Sequence, residues 1–409
     1  MEEKTLKPRI RFKGFTEAWE QRKVFELMDV GSVKRIHQSD WTSEGIRFLR
    51  ARDIVAFHNG EEVCDPLFIS EEKYDEYSEI SGKVRIHDLL VTGVGTIGIP
   101  MLISDEKPLY FKDGNVIWMK NNDAVNGKFL FYSFDSNSVK SFINDEAGIG
   151  TVGTYTINSC KKTPLHIPNA IEQKKVGGFF DNLDKVITLH QRKFEKLSQI
   201  KKSLLEKMFP ADGENTPKIR FKGFTEAWEQ RQFSELYERE SEKNDLTYGK
   251  DEIISVANMY FKADSYITDP EYLRTYNIFH LGDIAFEGNK SKDFAHGRFV
   301  ENTIGNGIVS HVFDVFRPIS EYDLLFWKYA INNERVMGLV LVRCTKASTM
   351  MTNLVANDFL QESILVPTVK EQQKIGAFLN QLDSLITLHQ RKYEKLKNIK
   401  KSLLEKMFI

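Results

Sequence analysis

The sequence predicts a mixed α+β protein with two similar globular domains, each followed by a long helix, and the two helices paired as a coiled coil. Three observations support this prediction. A short stretch occurs twice, a long stretch occurs twice, and the blocks between them differ in sequence while keeping one order of elements. Such internal similarity indicates that one structural unit is used twice. The 409 residues are enough for two to four domains.

The bulk composition excludes several classes of protein. The formal charge is −1, so no overall basicity points to a nucleic acid, and a DNA-binding surface would have to be local. The three cysteines Cys64, Cys160 and Cys344 lie far apart and form neither a disulfide framework nor a zinc motif. The N-terminal residues lack the apolar core of a signal peptide, and no apolar run is long enough to span a membrane. We therefore expect a soluble, cytosolic protein.

The short repeat opens each half of the chain. It reads PRIRFKGFTEAWEQR at residues 8–22 and PKIRFKGFTEAWEQR at residues 217–231, with Arg9 replaced by Lys218. The stretch PADGENTP at 210–217 contains Pro and Gly and is typical of a linker. The predicted order is a first domain at 1–169, a helix at 170–209, the linker at 210–217, a second domain at 218–368 and a final helix at 369–409.

The long repeat covers residues 172–209 and 371–408 and predicts a helix. It contains no Pro, and its apolar residues are mostly three or four apart, which places them on one face. In the first copy these residues are Leu183, Ile187, Phe194, Leu197, Ile200, Leu204 and Met208. A helix of this length extends roughly 55 Å and needs a partner along its length. The second copy is the best-matched partner in the chain.

The apolar face of the two long helices has two interpretations. The first is that the helices pack only against each other. The second adds docking of another protein, because HQRKFEKL and HQRKYEKL also match at polar positions that pairing alone does not require. His190 and His389 occupy equivalent places and are expected to be interface histidines. The predicted pairing and docking positions are Leu183, Ile187, His190, Phe194, Leu197, Leu204, Leu382, Ile386, His389, Tyr393, Leu396 and Leu403.

The two variable blocks, Lys23–Ile171 and Gln232–Lys370, predict one fold with two surfaces. The first block contains the apparent strands GIRFLRARDIV, DLLVTGVGTIGIPMLIS and NVIWMK, and the second contains DEIISVANMYF, GDIAFEG and GIVSHVFDVFRP. In each block a helical stretch follows, then a polar loop rich in Thr, Ser and Asn, and a short strand that ends at Pro. Because the order of elements agrees and the residues do not, the blocks predict a shared scaffold with different surface chemistry.

No segment predicts catalysis. GVGTIG, at Gly93, Gly95 and Gly98, fits a dinucleotide-binding pattern, but the following residues favour an extended stretch, and a strand–turn–strand corner is preferred. The sequence also lacks a phosphate-binding GxxxxGK[ST] loop, a nucleophile elbow and an HExxH motif. We therefore expect a non-catalytic chain with no cofactor and no metal of its own.

The motifs in this order resemble the specificity subunits of type I restriction–modification enzymes. The resemblance rests on RFKGFTEAWEQRKVFEL and RFKGFTEAWEQRQFSEL, which open the two halves, and on IPNAIEQKKVGGFFDNLDKVI and VPTVKEQQKIGAFLNQLDSLI, which lead into the long helices. DLLVTGVGTIG is similar to a strand of the family's target recognition domains. The second half departs from this pattern, since FEGNKSKDFAHG replaces a clear GTIG word.

The resemblance implies a function and a set of partners. It implies two target recognition domains, each reading one half of a bipartite asymmetric DNA target, and an antiparallel coiled coil with pseudo-two-fold symmetry. The helices would dock two methyltransferase subunits and set the half-site spacing. S-adenosylmethionine would bind those subunits, and ATP and Mg would act in restriction subunits that translocate DNA. Two readers related by a two-fold axis would suit the local symmetry of duplex DNA.

Candidate DNA contacts are polar and basic residues in the loops of the two blocks, because base edges and phosphates are recognised by such side chains. Alternation along RFLRARD would place Arg47 on one face and Arg50 and Arg52 on the other. The predicted contacts are Lys34, Arg35, Arg47, Arg50, Arg52, Lys112, Thr151, Thr154, Lys290, Lys292, Arg298, Arg343, Lys346, Ser348 and Thr349.

Two further functions stay open at this point. A duplicated coiled-coil adaptor without DNA recognition would show the same repeats, and a self-contained enzyme is a weaker third option. Binding of S-adenosylmethionine by the isolated chain would favour the enzyme. Protection of specific DNA by the assembled complex would favour the recognition subunit over the adaptor.

Overall fold

The computed structural model describes residues 6–112, 114–147, 153–262, 267–347 and 351–409. The chain forms two compact units that do not follow its linear halves. The first unit contains residues 1–192 and 390–409, and the second contains residues 193–389. Each long helix therefore contributes to both units, and the end of the chain belongs to the same unit as its beginning.

In the part of the chain that the structure describes, the first unit is built on two four-stranded sheets and a two-stranded ribbon. Among its described residues the strands are β1 (Glu20–Lys23), β2 (Asp29–Gly31), β3 (Trp41–Thr42), β4 (Ile46–Leu49), β5 (Leu67–Ile69), β6 (Leu89–Thr92), β7 (Pro100–Leu102), β8 (Leu109–Phe111), β9 (Val116–Lys120) and β10 (Pro164–Ile167). The main sheet has the order β2-β9-β6-β7, and the second sheet has the order β3-β5-β4-β8. β1 and β10 form a separate antiparallel ribbon that joins the short repeat to the end of the block.

The helices of the first unit surround these sheets. They are α1 (Val24–Leu27), α2 (Ala51–Asn59), α3 (Glu71–Ser81), α4 (Gly127–Phe134), α5 (Asn137–Ala147), α6 (Ile157–Lys162) and α7 (Ala170–Lys207), with a 3-10 turn at Gln38–Asp40. α4 and α5 form the predicted helical stretch of the first block, and α7 lies where the long repeat predicts a helix.

The strand predicted for GIRFLRARDIV is wrong beyond Leu49. The chain leaves the sheet at Arg50, and α2 begins at Ala51. Asp53 accepts a hydrogen bond from the backbone N–H of Arg50 at 2.9 Å and another from its Nε at 3.1 Å, which caps the new helix. The predicted alternation of Arg47, Arg50 and Arg52 across one strand is therefore wrong, because only Arg47 lies in a strand.

The second unit repeats this plan with different details. Its strands among the described residues are β11 (Glu229–Gln232), β12 (Tyr237–Glu240), β13 (Ile254–Ser255), β14 (Tyr260–Phe261), β15 (Asn277–Phe279), β16 (Ile284–Glu287), β17 (Arg298–Glu301), β18 (Gly307–Val309), β19 (Val315–Pro318), β20 (Thr345–Ala347), β21 (Thr352–Leu354) and β22 (Ser363–Val366). Its helices are α8 (Phe233–Leu236), α9 (Leu324–Ala330), α10 (Glu334–Cys344), α11 (Ala356–Gln361) and α12 (Val369–Met407), with 3-10 turns at Lys250–Glu252 and Pro270–Thr275.

The main sheets of the two units correspond strand by strand. The order β12-β19-β16-β17 in the second unit matches β2-β9-β6-β7 in the first, and the ribbon β11-β22 matches β1-β10. DEIISVANMYF was predicted as one strand. It instead forms the two short strands β13 and β14, which pair as an antiparallel hairpin. The prediction of one scaffold used twice is confirmed.

The first turn of each long helix contacts both the short repeat and the variable block. Glu172 is fully buried and accepts hydrogen bonds from Arg11 Nε at 2.6 Å and Nη2 at 2.7 Å. Gln173 accepts a hydrogen bond from the backbone N–H of Asn126 at 2.9 Å, at the start of α4. Arg220–Glu371 and Asp323–Gln372 repeat these contacts in the second unit. Residues that the two repeats share therefore form the same buried polar contacts in each unit.

The end of each long helix completes the core of a unit. Phe408 packs with its ring centroid 5.4 Å from that of Phe129 and 5.8 Å from that of Phe180. Ile10 N–H also donates to Lys406 O at 2.9 Å. In the second unit Phe209 lies 5.8 Å from the ring of Phe326, and the corresponding backbone bond joins Ile219 N–H to Lys207 O at 2.9 Å.

α7 and α12 run antiparallel within the first unit. Phe180 of α7 contacts Phe408, which directly follows α12. One turn further along α7, Asp184 pairs with Lys400, which lies in α12 two turns before Phe408. Advancing along one helix therefore means moving back along the other. The predicted pairing positions are buried or half-buried in both helices, whereas Ile200 is exposed and does not belong to the buried face. Among the described helices, none is both long and apolar enough to cross a membrane.

Candidate nucleic-acid interface

In each unit, the turn that follows one strand of the main sheet is hydrogen-bonded to the polar loop near the end of the variable block. We call these two paired segments a corner. We define the first corner as residues 93–99 with 153–156. Val94 forms an antiparallel bridge with Thr154, and Tyr155 N–H donates to Gly93 O at 2.9 Å. A Cβ on Gly93 would lie 2.7 Å from Tyr155 O, so this close approach requires glycine.

The second unit has equivalent backbone contacts, although its sequence lacks the GTIG motif. We define the second corner as residues 288–297 with 345–347 and 351–354. Asn289 bridges Met351, and Thr352 N–H donates to Gly288 O at 2.8 Å. A Cβ on Gly288 would overlap Thr352 O. FEGNKSKDFAHG is therefore the structural counterpart of VTGVGTIG, and the corner predicted for GVGTIG is confirmed by the antiparallel pairing of β6 with β7.

The two corners present different chemistry on this shared frame. The described residues of the first corner carry no charged side chain and offer the hydroxyls of Thr96 and Thr154, while the hydroxyl of Thr156 caps α6. The second corner carries Lys290, Lys292 and Lys346, opposed by Asp293. The three lysines are exposed, and no ion pair of theirs occurs among the described residues. Such a pair of surfaces suits two different binding targets.

The remaining first-domain candidates lie around the second sheet, β3-β5-β4-β8. Lys34 and Arg35 are exposed after β2, and Lys34 Nζ lies 4.2 Å from the ring centre of Tyr77. Arg47 is held from within the domain, since its Nη1 donates to Leu67 O at 3.0 Å. Burial lowers the pKa of Arg47, which marks its guanidinium as partly desolvated.

Arg50, Arg52 and Lys112 gather where β4 and β8 end. Lys112 N–H donates to Leu49 O at 2.8 Å, which places Lys112 beside the start of α2. Arg50 Nη2 lies 3.0 Å from Asp53 Oδ1 and donates to Asp65 O at 2.7 Å, and Arg52 pairs with the Asp65 carboxylate. Two of these three cations are thus neutralised locally, and no ion pair of Lys112 occurs among the described residues.

Two arginines of the second-domain prediction are engaged in ion pairs inside the unit. Arg298 Nε donates to Glu287 Oε2 at 2.8 Å, and Arg343 forms a two-pronged pair with Glu362 at 2.7 and 2.5 Å. Thr151, Ser348 and Thr349 lie outside the described residues. The structure therefore brings together Lys290, Lys292 and Lys346 but directs Arg343 to a different contact.

Sequence reasoning missed an exposed aromatic pair beside the second corner. Tyr260 and Phe261 form β14, and their side chains are 51% and 39% exposed. The sequence offered one usable signal, since MYFK places two aromatic rings next to Lys262. The prediction of one continuous strand over this segment does not distinguish exposed rings from buried ones.

The long helices carry a second set of equivalent positions. Lys201 on α7 pairs with Asp383 on α12 at 2.6 Å, and Lys400 pairs with Asp184 at 2.7 Å. Tyr329 and Tyr132 donate to the same two carboxylates, each at 2.7 Å. Burial and the adjacent aspartate raise the pKa of both phenols, so they stay neutral donors.

Each unit also leaves apolar side chains of the helices in solvent. Leu189 is 50% exposed in the first unit and its counterpart Leu388 is 45% exposed in the second. Val186 and Leu385 are exposed in the same way. These positions flank His190 and His389, which are half-buried. No cluster of His, Cys, Asp or Glu suited to a metal occurs among the described residues.

The paired corners and paired helices define a class of protein that presents two different surfaces on one duplicated framework. The model of the type I restriction modification DNA specificity domain family matches residues 16–199 and 226–398. The two matches cover most of the chain and fall on equivalent parts of its halves. The chain belongs to this family.

Two curated relatives agree with this assignment. The chain is 29% identical over 170 residues to a putative type I restriction enzyme specificity subunit, S.HindORF215P, of Haemophilus influenzae, which covers 40% of this chain and 41% of the relative. It is 25% identical over 218 residues to the type I restriction enzyme MjaVIII specificity subunit of Methanocaldococcus jannaschii, which covers 50% and 47%. The chain thus matches less than half the length of either relative.

A solved structure shares the fold. The S subunit of a type I restriction–modification system from M. genitalium superposes with a TM-score of 0.62 at 14% sequence identity, over 98% of this chain and 99% of that one. At this identity the similarity concerns the fold. The α+β architecture with two domains and long helices, predicted from the sequence, is confirmed.

Proposed function

We propose that this chain is the DNA sequence-recognition subunit of a type I restriction–modification complex. Each unit would read one half of a bipartite, asymmetric target. The observation that carries the proposal is the duplicated corner, in which one backbone arrangement presents an uncharged, hydroxyl-bearing surface once and a lysine-rich surface once. Lysine side chains bind phosphates and guanine edges, whereas hydroxyls donate to or accept from several bases.

The chemistry of the complex would belong to partner subunits. Two methyltransferase subunits would bind S-adenosylmethionine and methylate adenine on both strands, and restriction subunits would use ATP and Mg. This chain would supply neither a catalytic residue nor a cofactor. A direct measurement is titration calorimetry of the isolated chain with S-adenosylmethionine, for which no binding heat is expected. Saturable binding would instead favour a self-contained enzyme.

The long helices would dock the two methyltransferase subunits at equivalent places. Support comes from the exposed apolar pairs Val186 with Leu189 and Leu385 with Leu388, which repeat in the two units. Exposed apolar groups of this kind are typical of interaction surfaces. Native mass spectrometry should show two methyltransferase subunits per chain. Leu189→Glu or Leu388→Glu should each remove one of them, whereas Lys202→Gln on an exposed helix position should remove none.

The experiment that tests recognition is selection of bound duplexes from a random library by the assembled complex. We expect two short specific blocks separated by a spacer of fixed length. Enrichment of a single block would contradict two independent readers. Assembly with a methyltransferase subunit but no sequence enrichment would favour a coiled-coil adaptor.

A further inference from the structure

The hairpin β13–β14 presents two large aromatic side chains to solvent. Its strands pair Ile254 with Phe261 and Ser255 with Tyr260, so the two aromatic residues immediately follow the turn at 256–259. More than a third of each ring is exposed. Because successive residues of a strand point to opposite faces, the two rings lie on opposite sides of the hairpin. Exposed aromatic groups on both sides of a hairpin tip are typical of a contact surface.

Arg298 fixes the place of this hairpin beside the second corner. Its Nη2 donates to Ala257 O in the hairpin turn at 2.7 Å, while its Nε donates to Glu287 Oε2 at 2.8 Å. Its guanidinium also lies 5.1 Å from the ring centre of Phe294, within the corner loop. One half-buried side chain thus joins the hairpin turn, the corner loop and strand β16.

The surface assembled in this way is positively charged. The hairpin residues 256–262 and the described residues of the second corner contain four lysines and one aspartate, a formal charge of +3, although the whole chain carries −1. The lysines are Lys262, Lys290, Lys292 and Lys346. An apolar tip among cations is complementary to duplex DNA, which offers phosphates beside thymine methyl groups and base faces.

We propose that Tyr260 and Phe261 contact base pairs of the second half-site and that Arg298 is the positioning residue that holds them there. The proposal rests on the DNA-recognition function proposed above and names the apolar part of the second reader. The lysines bind phosphates and set register, while the two rings discriminate between bases. Arg298 acts through the hairpin and not through a contact with DNA, because its Nε and Nη2 donate to Glu287 and Ala257 and its side chain is half-buried.

The test uses the assembled complex and the duplex target that it selects from a random library. Affinity is measured for the full target, for a target with the first half scrambled and for one with the second half scrambled. Tyr260→Ala combined with Phe261→Ala should reduce discrimination at the second half about tenfold, on the scale of one lost base contact. The ratio of affinities for the full target and the target with a scrambled first half should stay unchanged. This unchanged ratio is the control that the variant complex has assembled.

Salt dependence separates the positioning residue from the phosphate contacts. Arg298→Ala should weaken discrimination at the second half without changing the slope of log affinity against log salt, and Arg298→Lys should restore part of it. Lys290→Gln should lower that slope by about one. A fall in slope for Arg298→Ala, with discrimination intact, would show that Arg298 binds phosphate and would overturn its positioning role.

Tyr272→Ala is the matched control, because this aromatic side chain of the same unit is 47% exposed and, among the described residues, its ring contact is with Tyr276 and not with Arg298. It should leave discrimination at both halves intact. If the double variant fails to assemble, Tyr260→Ala alone tests the same contact. The proposal is overturned if the assembled Tyr260→Ala and Phe261→Ala complexes both keep full discrimination at the second half. The proposed function itself is overturned if the unmodified complex shows no sequence preference.

Discussion

Lys201 Nζ lies 2.6 Å from Asp383 Oδ1, and the same contact recurs between Lys400 and Asp184 at 2.7 Å. In each case the lysine comes from one long helix and the aspartate from the other. Because both pairs recur at positions related by the sequence repeat, they define one register for α7 against α12. The two copies of the long repeat are identical at polar positions that an apolar helix–helix interface would not require. The residues of these two ion pairs are among them.

Exchanging the charges of Lys201 and Asp383 tests this register. Lys201→Glu should lower the free energy of unfolding of the second unit by about 1 kcal/mol, since both groups keep some contact with solvent. Combining Lys201→Glu with Asp383→Lys should recover part of this loss in urea unfolding, as a coupled pair does. Lys202→Glu, an exposed neighbour, should have little effect. Additive losses in the double variant would show that the pair does not set the register.

Glu301 should make the stability of the second unit fall as pH rises. Its side chain is 3% exposed, and neither carboxylate oxygen has a hydrogen-bond partner among the described residues. Two causes raise the pKa of Glu301 to about 9. The larger is desolvation of the buried carboxylate, and the next is the negative charge of Asp323. The folded state thus keeps a proton that the unfolded state releases above the ordinary glutamate pKa. Stability is greatest below that pKa and declines until about pH 9.

Glu301→Leu should therefore stabilise the second unit, and more so at pH 8 than at pH 5. The choice of leucine follows from the first unit, where Leu102 holds the corresponding place in the paired strands. The difference in unfolding free energy between variant and parent should grow with pH by at most about 1.4 kcal/mol per unit. Urea titrations at several pH values measure it. A difference that does not vary with pH would contradict a protonated, unpaired Glu301.

Phe408→Ala should destabilise the first unit strongly, although it lies near the other end of the sequence from that unit's sheets. The ring packs against Trp19, Phe129 and Phe180, and its removal leaves a cavity worth about 3–5 kcal/mol. Phe209→Ala should cost the second unit a similar amount, because its contacts correspond. Ile409→Ala is a milder control at a half-buried position. Loss of the second unit on Phe408→Ala, with the first intact, would contradict the observed unit composition.

Lengthening both helices by one turn should lengthen the spacer of the target. The two ion pairs place Arg192 opposite Lys392, so four residues inserted at each point keep the helices matched and add about 6 Å. With a rise of about 3.4 Å per base pair, the half-sites should be unchanged and the spacer one or two base pairs longer. Sequencing of the methylated motif reads the result. An active variant with the original spacer would show that the helices do not set the distance.

The sequence predicted those parts of the fold that depend on pattern. Repetition predicted the two domains, periodicity predicted the long helices, and runs of β-branched and aromatic residues predicted strands such as Val116–Lys120. Prediction failed where one local contact decides the structure. The hydrogen bonds of Asp53 turn ARDIV into a helix, and a two-residue pairing turns DEIISVANMYF into a hairpin. Neither contact has a periodic signature.

The candidate site was less predictable because residue type does not reveal whether a cation is already paired. Arg298 and Lys290 look equally suitable in the sequence, yet only Arg298 is held by a glutamate and a carbonyl inside the unit. The correspondence of Gly93 with Gly288 was also hidden, since the shared property is a close backbone approach and the neighbouring residues differ.

The most direct test of the central claim is the methylated motif of a chimera. Replacing Lys23–Ile171 with the corresponding block of a relative leaves the short repeat, α7 from Glu172 onward, α12 and the second corner unchanged. Sequencing of methylated DNA from cells that express the complex should show one half of the target changed and the other half retained. If both halves change together, or the retained block loses its half-site in an assembled complex, the two units are not independent readers.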